Sequence, residues 1–445
     1  MLRARGTALA STDLIGRSHP ALADVRDLKW VAGGLIIGAI SFNAALCFLN
    51  TRGIAITNFH VIFSEMLLIS CAVIAARYNV NIRHISVITV IILYTAGLSI
   101  VRYSYPYEFG PNLGFNPKIG RDLIIPFAFF LLGKAVKNTK TSDNVVFAAT
   151  ALVLVFAIFE YFFLDTFLKV FGVAEYYIAR GSLHASENVL NASQGLMVSG
   201  IRPADQGRTL LPFLGDHRVS SIFLEPISLG NFGTLVTLWA VVRTRMEGRL
   251  YIWCALSGLA LLVLSDTRFD AYFLALAIPI MMAPHRITTP LIAILPFIVI
   301  VALYLLGASA DHYNGLPALS GRGAYERLLY SGGFLFDFDV FNWFGLEARP
   351  YTEDSGYAYV ISNVGIVGFA ALWTLFMSLE GSSRYFFSFR NVAALYFVAL
   401  SCISSSYFTI KMGALLWFLL GVLSDAKGTP RRGTRREVLP AGQLA

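Results

Sequence analysis

The chain is expected to be an all-α, polytopic integral membrane protein with about twelve transmembrane helices. Three observations predict this. Of its 445 residues, 56% are hydrophobic and only 14% charged, against roughly 25% charged in a soluble domain. The apolar residues come in blocks of about 18 to 25, the length a helix needs to cross a bilayer. The Lys and Arg residues gather at alternate breaks between blocks, as the positive-inside rule requires.

Residues 1–27 are polar and basic and lack the apolar core of a signal peptide, so they read as a cytoplasmic tail. Spans are expected at roughly 28–49, 57–77, 83–102, 120–136, 145–168, 219–242, 249–265, 267–283, 289–308, 355–378, 391–408 and 410–424. They form one transmembrane domain over 28–424, followed by the basic tail 425–445. The break after the fourth span holds Lys134, Lys137 and Lys140; the break after the sixth holds Arg243, Arg245 and Arg249; the break after the tenth holds Arg384 and Arg390. With an even number of spans, these loops and both termini share the cytoplasmic side. Two long segments, about 169–218 and 309–354, fall on the opposite face, the second between spans nine and ten. Loops of that length inside a compact protein are usually functional or disordered, and these are not low-complexity. The unequal loops and the lack of an internal repeat argue against the paired halves of many transporters.

The net charge of +8 is accounted for by topology, so nucleic acid is not an expected partner; the lipid bilayer is. Cys47, Cys71, Cys254 and Cys402 all lie inside apolar blocks without CxxC spacing, which makes disulfides and metal clusters unexpected. The chain has no Walker A sequence, no HExxH and no dinucleotide fingerprint.

Charged residues at membrane depth are costly and usually serve a pathway, a ligand or an ion pair. The stretch DHRVSSIFLEPISLGNF carries Asp216, His217, Arg218 and Glu225 into the sixth span. Arg218 and Glu225 are seven residues apart, so a continuous helix would put them near one face with Ser221 between them. Pro226 is expected to break that helix so that backbone groups face a wet cavity. SDTRFDAY places Asp266, Arg268 and Asp270 in the turn between spans seven and eight, where an Asp266–Arg268 or Arg268–Asp270 pair is the plain structural account. The long loop offers His312, Arg322 and Arg327, and ARPYTEDSGYAY offers Arg349, Glu353, Asp354 and Tyr357 before the tenth span. Few arginines are expected on this face, yet Arg218, Arg268, Arg322, Arg327 and Arg349 all fall there. Arginine forks onto phosphate oxygens, which suits a pyrophosphate on a lipid carrier. With no His/Cys/Asp metal cluster nearby, no cofactor is expected. Glu225 and Asp354 are candidates to take a proton from an attacking sugar hydroxyl.

HRVSSIFLEPISLGNFG, SDTRFDAYFLAL, LSGRGAYERL and EDSGYAYVISNVGIVG, in that order, resemble the Wzy-type polysaccharide polymerase and O-antigen ligase superfamily. The nearest likeness is to exopolysaccharide polymerases of the xanthan (GumE-like) and holdfast type. The resemblance implies a GT-C-like glycosyltransferase of the bacterial inner membrane that acts on undecaprenyl-pyrophosphate-linked oligosaccharides without a metal. It also implies a chain-length co-polymerase and a flippase as partners. By motif it assigns Arg218, Arg268 and Arg322 to the recurring arginines, Glu225 to the acid of the R-x-x-S-x-F-x-E-P segment, and Asp354 and Gly356 to the D-S-G before a span. Glu225, Asp354, Arg218 and Arg322 are thus the expected catalytic residues. Arg268, Arg327, His217, His312, Arg349 and Tyr357 are the expected substrate-binding ones. His312 sits in a different local context from the ligase-type loop histidine, which tilts the expectation from ligase toward polymerase. A ligase, and in another class a flippase or transporter, are the competing expectations.

Overall fold

The computed structural model describes residues 23–77, 80, 82–104, 117–181, 194–202, 207–309, 323–347 and 355–426. Among these residues the secondary structure is helical; an antiparallel bridge joins Ile201 to His217 and no strand forms. The first half comprises α1 (Ala23–Thr51), α2 (Asn58–Ala76), α3 (Ile82–Ser104), α4 (Pro117–Val136), α5 (Thr139–Phe162) and the short α6 (Leu164–Phe171) and α7 (Val173–Ala179). The second comprises α8 (Pro226–Glu247), α9 (Ile252–Ser265), α10 (Arg268–Met282), α11 (His285–Ser309), α12 (Ala324–Phe336), α13 (Val340–Trp343), α14 (Gly356–Met377), α15 (Arg384–Ser401) and α16 (Ile410–Ser424). Six are long and apolar enough to cross a membrane: α1 from Leu28, α2, α3 from His84, α5, α11 and α14; α9 and α16 are apolar but shorter. The protein is therefore a membrane-embedded helical bundle.

Lipid gives helices no hydrophobic reason to associate, so close backbone packing has to supply it. The contact between α4 and α16 shows how. A Cβ added at Gly133 would collide with the Phe418 carbonyl and the Gly421 backbone, and one at Gly421 with Phe130 O. Two facing glycines therefore let these helices touch main chain to main chain. Helix α8 is buried along most of its length, including the polar Asn231, Thr234 and Thr237. It is the central post of the bundle. Its far end is pinned by Asp143 of α5, which accepts from Trp239 Nε1 at 3.0 Å and from Arg243 Nη2 at 2.7 Å. Helix α3 is the opposite case, with Arg102 as its only buried side chain among the described residues.

Arg102 explains how α14 survives a break. Gly365 has φ 70° and ψ 165°, which interrupts the helix and frees carbonyls. The Arg102 guanidinium donates to Asn363 O at 2.7 Å, to Ser362 O at 3.0 Å and to Gly345 O, and Tyr94 Oη donates to Val364 O at 2.6 Å. Broken backbone is tolerated at membrane depth where protein satisfies it in this way.

Several boundaries depart from expectation. The span expected at 145–168 ends at Phe162, and α6 restarts after Phe163. The span expected at 391–408 is displaced toward its start, to Arg384–Ser401. The span expected from 219 begins only at Pro226. The expectations for Arg322, His312, Arg349, Glu353 and Asp354, and for most of both tails, fall outside the described residues.

Candidate functional site

The segment from Arg218 to Glu225 is not helical, so these two residues do not share a helix face. Its backbone runs through a single 3-10 turn, Ser221–Phe223, with Ser221 at φ 54° and Leu224 at φ 60°. Left-handed conformations cost non-glycine residues and persist only where the surroundings impose them. Glu160, near the end of α5 and fully buried, imposes this one. Its carboxylate accepts from Ser220 N at 2.9 Å, from Ser221 N, and from His217 Nε2 at 3.0 Å. Ser221 Oγ donates to Val153 O at 2.7 Å. Pro226 then starts α8 as its first residue, where its missing N–H costs nothing. The expected break inside a helix is instead a helix start.

On one side of this turn lies a cluster of arginines. Arg218 is buried and donates to Ser265 O at 3.0 Å and Ser199 O at 2.9 Å. Arg208, also buried, donates to His217 O at 2.6 Å, to Leu264 O at 3.0 Å and to Val263 O. Both guanidiniums thus cap the carbonyl end of α9, where the helix dipole favours cations. Arg202 pairs with Asp266 at 2.8 Å. The Asp266–Arg268 and Arg268–Asp270 pairs expected from sequence are absent among the described residues; Asp266 pairs with Arg202 instead. Its other oxygen accepts from Thr209 N at 3.1 Å and Leu210 N at 2.8 Å. Burial alone would raise the Asp266 carboxyl, but the Leu210 N–H and Arg202 hold it below the usual carboxylate range.

Asp266 thus pairs with Arg202 and acts electrostatically on Arg208 and Arg218, and Arg218 also acts on Asp270. Burial, and then the neighbouring Arg202 cation, push the Arg218 guanidinium below its ordinary range; Asp266 opposes this, while Arg208 and Arg327 add to it. The Nε atoms of Arg208 and Arg268 are buried with no hydrogen-bond partner. Asp270, fully buried on α10, makes no ion pair among the described residues, and its Oδ1 lacks a partner too. Arg218, Arg268, Arg327 and His217 thus stand at this end of the bundle, and Arg202, Arg208 and Glu160 join them. Sequence reading passed over these last three. Arg202 and Arg208 sit in a loop that it treated as a connector, and Glu160 was counted as part of an apolar block.

The other side of the turn is built from ion pairs. Glu225, at the N-cap position of α8, accepts from Tyr177 Oη at 2.8 Å and Ser228 Oγ at 3.0 Å, and Lys411 Nζ lies 3.5 Å away. Glu65 of α2 pairs with Arg121, which also holds Asp122 at 2.6 Å. Asp122 accepts from Tyr359 Oη at 2.8 Å, and Lys118 lies over the Tyr359 ring, 4.6 Å from its centroid. Here each acid has a cation. An acid at membrane depth was the signal that could have found Asp122. Lys411 was hidden because it falls in TIKMG, the short break between two apolar blocks.

Next to these pairs is an apolar cavity of about 230 Å³ between α3, α4, α11, α14, α15 and α16. Phe127, Phe130, Phe369, Trp373, Phe397 and Trp417 are among its walls. Asp122, Tyr357, Ser401 and Tyr407 line it too, all near helix ends on the side of the bundle that carries Lys411 and Glu225. Tyr357 donates to Val398 O at 3.2 Å, so its hydroxyl is already used. Comparisons with protein-family models, with curated proteins and with solved structures found no match.

Proposed function

We propose that the protein is a polysaccharide polymerase of the bacterial inner membrane, a glycosyltransferase that joins undecaprenyl-pyrophosphate-linked oligosaccharide units on the periplasmic face. The observation that carries this reading is the arginine cluster, in which Arg202 pairs with Asp266 while Arg208 and Arg218 donate to carbonyl oxygens. Arg202, Arg208, Arg218 and Arg268 outnumber Asp266 and Asp270 there, and a diphosphate presents the oxygens that arginine forks fit. In this reading the apolar cavity on the Lys411 and Glu225 side of the turn would take part of the polyprenyl chain. In this reading the chain crosses the membrane twelve times in a GT-C-like arrangement with both termini cytoplasmic.

In the reaction, an acceptor sugar hydroxyl attacks the anomeric carbon of the donor. The bond from that carbon to the diphosphate oxygen breaks, and undecaprenyl pyrophosphate leaves with the electron pair. The hydroxyl proton passes to the Glu225 carboxylate. Arg218 and Arg268 stabilise the charge that develops on the leaving diphosphate, as fixed donors do in a water-poor site. Asp354, Arg322, Arg349 and His312, which the family resemblance assigns to the reaction, lie outside the described residues.

Purified lipid-linked repeat supplied as the only glycan tests this. A ladder of repeats is the result expected of a polymerase, whereas a ligase yields product only when a separate acceptor is added. One observation favours a flippase instead: Glu65, Arg121, Asp122 and Lys411 place charge inside the bundle, as a translocation path would. Movement of labelled lipid-linked repeat across a proteoliposome membrane with no new glycosidic bond would establish that alternative.

A further inference from the structure

We infer that Lys411 is a positioning residue that sets the place of Glu225 in the reaction. The inference rests on the reading of Glu225 as the proton acceptor and extends it to a group that no sequence motif marks. Lys411 is the second residue of α16 and is buried. Its Nζ donates to Phe223 O at 3.2 Å and lies 3.5 Å from Glu225 Oε1. One ammonium thus holds both a main-chain carbonyl and a side-chain carboxylate of the same turn. Between those two points lies Leu224, in a left-handed conformation at φ 60°.

Glu160 fixes the start of this turn through Ser220 N and Ser221 N. Lys411 fixes its end. The two clamps together set how far Glu225 stands from Arg218, and so how far the proton acceptor stands from the diphosphate site. Tyr177 and Ser228 add hydrogen bonds to Glu225 but carry no charge. Of the groups seen to touch the carboxylate among the described residues, Lys411 is the cation. Neutralisation alone would not call for the Phe223 contact. A buried ion pair is also no strong source of stability, since apolar residues of similar volume often replace one at little cost. The arrangement of Lys411 is therefore accounted for by geometry at Glu225.

The test is steady-state polymerisation by the full-length protein in proteoliposomes, with a defined lipid-linked repeat. Lys411→Met is expected to lower kcat by about 100-fold, the cost of a misplaced reacting group, with KM for the repeat within about twofold of the wild type. Lys411→Arg, which keeps a cation of similar reach, is expected to recover most of the lost kcat. If Lys411→Met fails to insert, Lys411→Gln keeps a donor without the charge and is read for the same split. Wild-type kcat in Lys411→Met, a KM increase that matches the loss, or no recovery with Arg overturns the inference. Arg218→Ala is run beside them. If Arg218→Ala is inactive and Lys411→Met fully active, the role of Lys411 alone is wrong. If Arg218→Ala also polymerises normally, the proposed function fails.

Discussion

The turn from Arg218 to Glu225 divides two charged regions built on opposite plans. On one side Arg208 and Arg218 bond to carbonyl oxygens and Arg202 pairs with the carboxylate of Asp266. On the other, Glu225 faces Lys411, and Arg121 faces both Glu65 and Asp122. Both regions are buried and both lie in a membrane-embedded bundle, so the cost of burying charge is common to them. They differ in whether that cost is met internally. A matched network is complete as it stands. On the arginine side Arg202, Arg208, Arg218 and Arg268 outnumber Asp266 and Asp270, which is why the proposed diphosphate is assigned to that side.

The comparison predicts that variants on the arginine side and at Glu225 damage turnover first, and that variants in the matched network damage stability first. The largest effect is expected at Glu225. Glu225→Gln keeps the shape and removes the proton acceptor, and kcat in the polymerisation assay should fall by about 10²–10⁴-fold. Arg218→Ala should follow, with a loss of about 10²–10³-fold, as for removal of one fixed donor to developing charge. Polymer length at matched protein levels reads this in cells. Normal polymer there would remove the functional distinction between the two regions.

Arg121→Ala should show the reverse pattern. It leaves Glu65 and Asp122 buried without their cation, at a cost of about 3–5 kcal/mol. Thermal unfolding in detergent should detect that loss, and a smaller loss than for Arg218→Ala would contradict the comparison. The smallest effect concerns Asp266. Its folded-state value lies below the ordinary carboxylate value of about 3.9, so its contribution to stability is fully present above that pH. It is lost as pH falls through the depressed folded value. Limited proteolysis of the 207–218 segment should therefore stay slow down to about pH 4 and accelerate below it. In Asp266→Asn that segment should be cleaved faster at neutral pH, with little further change on acidification.

Much of the bundle was legible because span length and apolar blocks carry it. The helices from α1 to α4, and α11 and α14, fall where the blocks predict. The sixth span was misjudged because VSSIFLEP is apolar enough to continue a helix. What prevents it is Glu160, some 60 positions earlier, whose bonds to Ser220 N and Ser221 N no local pattern reveals. Arg218, Arg268 and Glu225 were legible as charges in the wrong solvent. Their partners were not. Arg202 and Asp266 meet only because residues 199–202 and 207–218 lie against the end of α9, and Lys411 meets Glu225 only through the packing of α16 beside α8. Sequence spacing describes one helix at a time, whereas ion pairing here joins several.

Binding of undecaprenyl pyrophosphate to the purified protein, in nanodiscs containing EDTA, tests the central claim most directly. The account predicts metal-free binding that weakens about tenfold or more in Arg218→Ala, the loss of a charge-assisted contact, and stays near wild type in Lys411→Met. Equal affinity in wild type and Arg218→Ala, or binding that requires a divalent cation, would contradict it.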